Sequence, residues 1–276
     1  MDASMSASGM ERRQVDDVQA FYDSRADYEW DRLNRHRLEF ALNMRFLSEH
    51  LPVPPAQALD VGGGPGRYAL ALAQKGYRVT LLDLSKPLLE FALKKGVEAR
   101  VTLDRTIHGN ALDLSPLAAD SFDAVLLMGP LYHLLEAPLR LQALREAARV
   151  LKPGGTLATA FISRYSTMRV HSPRWLLDHT KDVAAEMETG LRRDVGRGFT
   201  DAYLAHPAEV APLLEGVGLQ FLAMIASEGL RFDAEPETNG LTGDDWNAWV
   251  DLNYRLAQDP SIHGAAVHLL AVARKA

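Results

Sequence analysis

The feature that most constrains this chain is a run of glycines, Asp60-Val61-Gly62-Gly63-Gly64-Pro65-Gly66, placed directly after a short apolar stretch at 58–61. Glycine lets the backbone turn tightly and lets a ligand come up against the main chain. Amides in such a turn, and at the start of a following helix, then point at acceptors such as a carboxylate. Isolated glycines would read as an ordinary tight turn. Four of them in five positions, between a strand and a helix, read as a binding loop.

The surrounding pattern says what carries this loop. A helix runs to Ala73 and ends at Gly76, followed by a strand at 78–82, a helix at 86–95 before Gly96, and a weaker strand at 101–108. A strong strand at 122–128 comes next, then a helix at 138–151 that stops at Lys152-Pro153-Gly154-Gly155, and a strand at 156–162. Further on, 219–226 and 265–273 read as strands around a helix at 244–258. Strands alternating with helices imply a doubly wound, mostly parallel α/β sheet, here seven-stranded with its last strand inserted antiparallel. Two helices broken near Asp23-Ser24 come before it. The segment 163–205, of mixed charge and rich in aromatics, breaks the alternation and reads as an inserted helical lid, with Gly196 and Gly198 as its hinge. One domain is expected over 1–276, with a helical cover at 11–51, a binding core at 56–162, the lid, and the rest of the sheet at 206–276.

Three further places carry candidate chemistry. Asp83, at the end of the second strand, can accept hydrogen bonds from ribose hydroxyls, or it can be a solvated loop acid. Asn110, in Gly109-Asn110-Ala111-Leu112-Asp113, offers a donor and an acceptor to an adenine edge, or simply makes a turn. The stretch Met128-Gly129-Pro130-Leu131-Tyr132-His133 follows the fourth strand, at the carboxyl edge where such sheets bind ligands. His133 is able to act as a base near neutral pH, with Tyr132 beside it. A packing or capping role for His133 is equally open.

Taken together, these residues resemble the class I S-adenosylmethionine-dependent methyltransferases, whose domain is Rossmann-like. The resemblance rests on Asp60 to Gly66, Asp83, the Asn-Ala-Leu-Asp stretch from Asn110, and Leu-Lys-Pro-Gly-Gly at 151–155. It covers most of 58–162 and, more weakly, 207–274. It implies S-adenosylmethionine as cofactor, with Gly62, Gly63, Gly64 and Gly66 around the methionine moiety and Asp60 bracing the loop. Asp83 would hold the ribose with Leu84 next to it, Asn110 and Ala111 would meet the adenine, and Met128 would flank the cofactor. The family often has Asp where this chain has Asn110. The segment from Phe21 to Trp30 looks like the family's amino-terminal cover, with Tyr28 expected as a cofactor lid and Tyr22 open between that cover and core packing on one helical face. The implied reaction is in-line transfer of a methyl group to an O, N, S or C nucleophile of a small molecule, with Tyr132 and His133 facing it.

Other readings stay open. Gly64-Pro65-Gly66-Arg67-Tyr68-Ala69 fits the G-x-G-x-x-A pattern of NAD(P)-dependent oxidoreductases, although Pro65 removes one loop amide and the Lys-Pro-Gly-Gly turn has no role there. A methyltransferase acting on tRNA or protein would need a contiguous basic surface, for which Arg164, Arg169, Arg192, Arg193 and Arg197 are the candidates. A non-catalytic cofactor-binding protein is the third possibility. The net charge of −6 argues against nucleic acid in general. The absence of cysteine removes disulfides and thiol nucleophiles. No metal site is expected, since Asp244-Asp245 sits at a helix start and reads as a cap. His171, Trp175, His179, Trp246 and Trp249 are pocket candidates. No apolar run approaches the roughly 20 residues of a membrane span. The first ten residues have neither the basic start nor the apolar stretch of a signal peptide, so a cytoplasmic protein is expected. Whether it is a monomer or a homodimer is not legible.

Overall fold

The computed structural model describes residues 7–193, 199–230 and 235–276, with side chains from residue 15 onward. The sheet starts from β1 (Gln57–Val61), whose residues Ala58, Leu59 and Val61 are fully buried, as expected of a parallel strand covered on both faces. β2 (Arg78–Asp83) and β3 (Arg105–His108) lie in order on one side of β1. β4 (Phe122–Leu127) and β5 (Leu151–Ser163) lie on the other. All of these pairings are parallel, with Leu59 opposite both Thr80 and Val125. The chain leaves β1 in one direction and returns to its other side, which opens a crevice above the carboxyl end of β1.

β9 (His268–Lys275) runs antiparallel along β5, with Ala160 opposite Leu270, and β8 (Leu219–Ala226) pairs with β9 beyond it. Helices α4 (Arg67–Gln74), α5 (Lys86–Ala99) and α6 (Ala137–Val150) connect the parallel strands. A continuous core reaches from Leu38 to Ala273.

Several boundaries differ from expectation. Three helices come before the sheet, not two: α1 (Ala7–Asp23), α2 (Ala26–Arg35) and α3 (Arg37–His50). The extra break falls at His36, which leaves helical geometry at φ −104°, ψ 58°. α5 does not stop at Gly96. It continues to Ala99, and Arg100 takes the left-handed cap at φ 57°. The expected strand at 101–108 shortens to β3. The Lys152–Gly155 turn lies inside β5, where it bulges: from Phe122 to Ala124 β4 advances two residues while β5 goes from Leu151 to Thr156.

The segment expected as a helical insertion also carries strands. It holds three short helices, α7 (Ser166–Val170), α8 (Pro173–Asp178) and α9 (Thr180–Thr189), and two strands, β6 (Leu191–Arg192) and β7 (Ala202–Ala205). β7 joins the main sheet, parallel to the end of β5, so the sheet has nine strands and not seven. Gly196 and Gly198 lie outside the described residues. α10 (Pro207–Glu215), α11 (Glu235–Gly240), α12 (Gly243–Ala257) and α13 (Pro260–His263) complete the chain. No described helix is long and apolar enough to cross a membrane.

Candidate cofactor and acceptor site

The crevice holds a cavity with an empty volume of about 1300 Å³, part of it open to solvent. Its floor is the glycine loop. Gly62, Gly64 and Gly66 have φ of +67°, +55° and +79°, in the left-handed region that side chains disfavour. A Cβ on Gly62 would lie 2.6 Å from Cγ of Pro130, so the loop and the turn after β4 are in direct contact. A Cβ on Gly64 would meet nothing nearer than Leu88 at 3.8 Å, which leaves that face open to a ligand.

Two carboxylates sit beneath the loop. Asp83 accepts the Gly64 amide at 2.7 Å on one oxygen and the Ser85 amide at 2.8 Å on the other. It therefore ties the loop to the start of α5, and each oxygen keeps a lone pair for a ribose hydroxyl. Burial raises its pKa, against the pull of those amides. Asp60 is buried, and its Oδ2 has no hydrogen-bond partner. Burial and the neighbouring Asp83 push Asp60 up to about 7. Asn110, in the cavity wall, uses Oδ1 to accept the Leu112 amide at 3.0 Å, so what it can offer a ligand is its NH₂ group, a donor. Leu84, Ala111 and Met128 also line the cavity. An open glycine face, an acid with spare lone pairs and an amide donor fit a nucleoside carrying an amino-acid end, as S-adenosylmethionine does.

The other end is aromatic. The turn Pro130–His133 puts Tyr132 and His133 in the wall, and α1 adds Tyr22. Tyr22 and His133 Nε2 are hydrogen-bonded at 2.9 Å, and His133 Nδ1 and Thr200 at 2.8 Å. Phe199 packs edge-on to Phe21 and near Tyr132 and His133, closing the group. Burial holds His133 down at about 3 and pushes Tyr132 up to about 12, while Tyr22 is raised well above the usual phenol range. All three are therefore neutral around pH 7. This corrects the reading of His133 as a base of ordinary strength. The imidazole is buried, and both ring nitrogens are occupied.

Two more expectations fail in this wall. Tyr28 does not cover the cofactor: it is 57% exposed, outside the cavity, with the Arg35 guanidinium 4.2 Å from its ring centroid. Tyr22, open from sequence between cover and core, lines the cavity instead. Among the described residues nothing from 164–205 lines the cavity; this segment meets the wall from outside, through Phe199 and Thr200 and through Ala202 and Leu204, against which Tyr132 packs. His171, Trp175 and His179 stack on one another at 3.7 and 4.0 Å along α8 and are no part of the pocket. Trp246 lies under Arg37, away from the site. Asp244 and Asp245 stand in the first turn of α12, where acidic side chains suit the helix N-terminus.

Sequence reading missed a chain of charges beside the wall, with Glu39 and Glu228 buried and Arg32 and His268 half-buried. Arg32 gives one N–H from each Nη to Glu39, both at 2.9 Å. His268 Nδ1 lies 4.0 Å from Glu39 and is bonded to Glu228. Glu39, Glu228 and His268 are close enough to hold a metal among the described residues. Glu39 is already spent on Arg32, and Glu228 on His268. The seven-residue step from Arg32 to Glu39, across a helix break, was the only signal in the sequence.

A methyltransferase-domain family profile matches residues 59–159. A ubiquinone biosynthesis O-methyltransferase from Xanthomonas campestris pv. campestris is 34% identical over 138 residues, 49% of this chain and 56% of the relative, so the chain spans little more than half the length of that relative. Its counterpart from Xanthomonas axonopodis pv. citri is 33% identical over 194 residues, 69% of this chain and 75% of the relative. In fold, the chain resembles the Burkholderia thailandensis 1,6-didemethyltoxoflavin-N1-methyltransferase, solved with S-adenosylhomocysteine bound, at a TM-score of 0.61 and 16% identity, covering 100% of this chain and 93% of that one. With the glycine loop, Asp83 and the sheet order in place, this chain belongs to the class I S-adenosylmethionine-dependent methyltransferases.

Proposed function

We propose that this protein transfers a methyl group from S-adenosylmethionine to an O, N, S or C nucleophile of a small molecule. The observation that carries this reading is the continuity of one cavity from Gly64, Asp83 and Asn110 to Tyr22, Tyr132 and His133. When bound, S-adenosylmethionine supplies a methyl group already activated on a sulfonium. Asp83 and Asn110 hold the nucleoside, and the glycine loop takes the methionine end. Tyr22, Tyr132 and His133 exclude water and orient the nucleophile, which is where catalysis by alignment gains its rate. His133, neutral and doubly bonded, positions Tyr22 and takes no proton. The acceptor therefore arrives with its lone pair available.

A small acceptor is supported by the basic residues that a macromolecular substrate would need. Arg164 pairs with Glu209, Arg192 with Glu186 and Arg193 with Asp201, and Arg169 donates to the Leu230 carbonyl. Arg197 lies outside the described residues. A cytoplasmic location belongs to the same proposal. Calorimetry should give S-adenosylhomocysteine binding in the micromolar range, about −8 kcal/mol. Labelled cofactor and a panel of small acceptors should then show transfer. Binding of NAD in place of S-adenosylhomocysteine would overturn the reading.

A further inference from the structure

Arg32 stands in the cavity wall, one turn after Glu29 on α2, and the reading above gives it no task. Its bonds to Glu39 fill the end-on edge of the guanidinium with two N–H groups. Arginine carries five N–H donors in a fixed planar fork. The side chain makes no other hydrogen bond among the described residues, so the side edge, Nε–H with the adjacent Nη–H, remains unspent. That edge matches the two oxygens of a carboxylate.

The fork is also held in place. Glu39 is only 4% exposed, and behind it stand His268 and Glu228, whose second oxygen accepts the His268 amide at 3.1 Å. Burial would raise the Glu39 carboxyl, but Arg32 and then His268 hold it down at about 2, so the carboxylate anchoring the fork stays ionised. A guanidinium fixed in this way has little rotamer freedom left to lose when a ligand arrives. Glu29 in the same wall offsets long-range attraction for anions, so selection rests on contact with the fork. Arg32 is an electrostatic neighbour of Tyr132, at the aromatic end of the cavity.

We propose that Arg32 is the acceptor-recognition residue, its side edge receiving a carboxylate on the methyl acceptor, which makes the substrate a small carboxylic acid. This rests on the methyltransferase reading. Glu39 acts as the positioning residue behind it.

The test is calorimetry on protein saturated with S-adenosylhomocysteine, titrated with a panel of aryl and alkyl carboxylates, each paired with its primary amide. Acids should bind about tenfold or more tighter than their amides, as the loss of a charge-assisted pair implies. The preference should vanish in the double variant Arg32→Met/Glu39→Leu, which removes both charges and strands neither. Arg32→Lys keeps the ion pair without the fork and should lose most of the preference, which provides a readout should the double variant not fold. Binding of S-adenosylhomocysteine should be unchanged in both. Equal binding of acids and amides, or a preference that survives in Arg32→Lys, overturns the proposal. So does weakened binding of S-adenosylhomocysteine with unweakened binding of 5′-methylthioadenosine, which lacks the amino-acid end, because the fork would then hold the cofactor's own carboxylate. Failure of the wild-type protein to bind S-adenosylhomocysteine at all is a separate result that removes the methyltransferase reading itself.

Discussion

The cofactor end of the cavity is drawn by backbone. Gly62 and Gly63 both donate to the Leu82 carbonyl, Gly64 to Asp83, and the strands beneath are buried to the last residue. The acceptor end is drawn by side chains from distant parts of the chain. Tyr22 reaches His133 across 111 positions, and His133 reaches Thr200 across 67. One end is over-determined by the packing that holds the fold. The other depends on a few polar contacts between elements that can part. A change at the first should therefore cost folding and cofactor binding together, and a change at the second should cost neither heavily.

The largest expected effect is at Gly62. An alanine there meets Pro130 at 2.6 Å and must keep φ near +67°. Strain at positive φ costs about 1–3 kcal/mol and overpacking about 1–3 kcal/mol, so Gly62→Ala should lose about 2–6 kcal/mol of stability. Binding of S-adenosylhomocysteine should fall with it. Gly154 in the Lys-Pro-Gly-Gly turn is the control: its φ is +76°, but nothing lies within 4 Å of a Cβ. Gly154→Ala should cost about 1 kcal/mol and leave binding alone. Denaturant unfolding of the two variants checks this, and similar losses in both would show that contact with Pro130 adds nothing to the cost at Gly62.

Asp83 comes next. From the sequence, a loop acid would carry little of the fold, and its loss would touch only the ligand. The structure corrects this, because Asp83→Ala also strands the amides of Gly64 and Ser85. Affinity for S-adenosylhomocysteine should drop by about 1.5–3 kcal/mol, the range for hydrogen bonds to a charged group, and stability by about 1–3 kcal/mol. A stability loss with an unchanged dissociation constant would make Asp83 a brace alone.

The same difference explains what could be read in advance. The loop, Asp83, Asn110 and the central strands are local patterns, so a few adjacent residues reveal them. Tyr22 and Tyr28 show the opposite case. In sequence a stripe of aromatics continues from one to the other, but the break at Ser24 and Arg25 starts a new helix, and α2 need not keep the phase of α1. The phase shift turned Tyr28 to solvent and left Tyr22 inside. β7 was hidden for another reason: four residues are too few for an alternating pattern to stand out, and its place in the sheet is set by β5. Arg32 and Glu39 sit on different helices, so no single helical wheel pairs them.

The smallest expected effect concerns motion at the acceptor end. Methyl transfer requires a site that closes against water and reopens for exchange. From sequence, 11–51 and 163–205 together would form that cover. In the structure only α1 and α2 line the cavity, through residues such as Val15, Val18, Tyr22 and Leu33. The link to 163–205 runs through Phe199, Thr200 and β7 against Tyr132 and His133. Local opening of such a segment has a free energy far below that of global unfolding, so hydrogen exchange reads it without perturbing the fold. Addition of S-adenosylhomocysteine should raise protection in residues 15–33 and 199–205 and leave α7, α8 and α9 as they were. Protection spread evenly over 164–193 would restore the larger lid expected from sequence. Protection confined to the glycine loop and strand ends would show that α1 and α2 are static walls, and the two ends of the cavity would then be equally rigid.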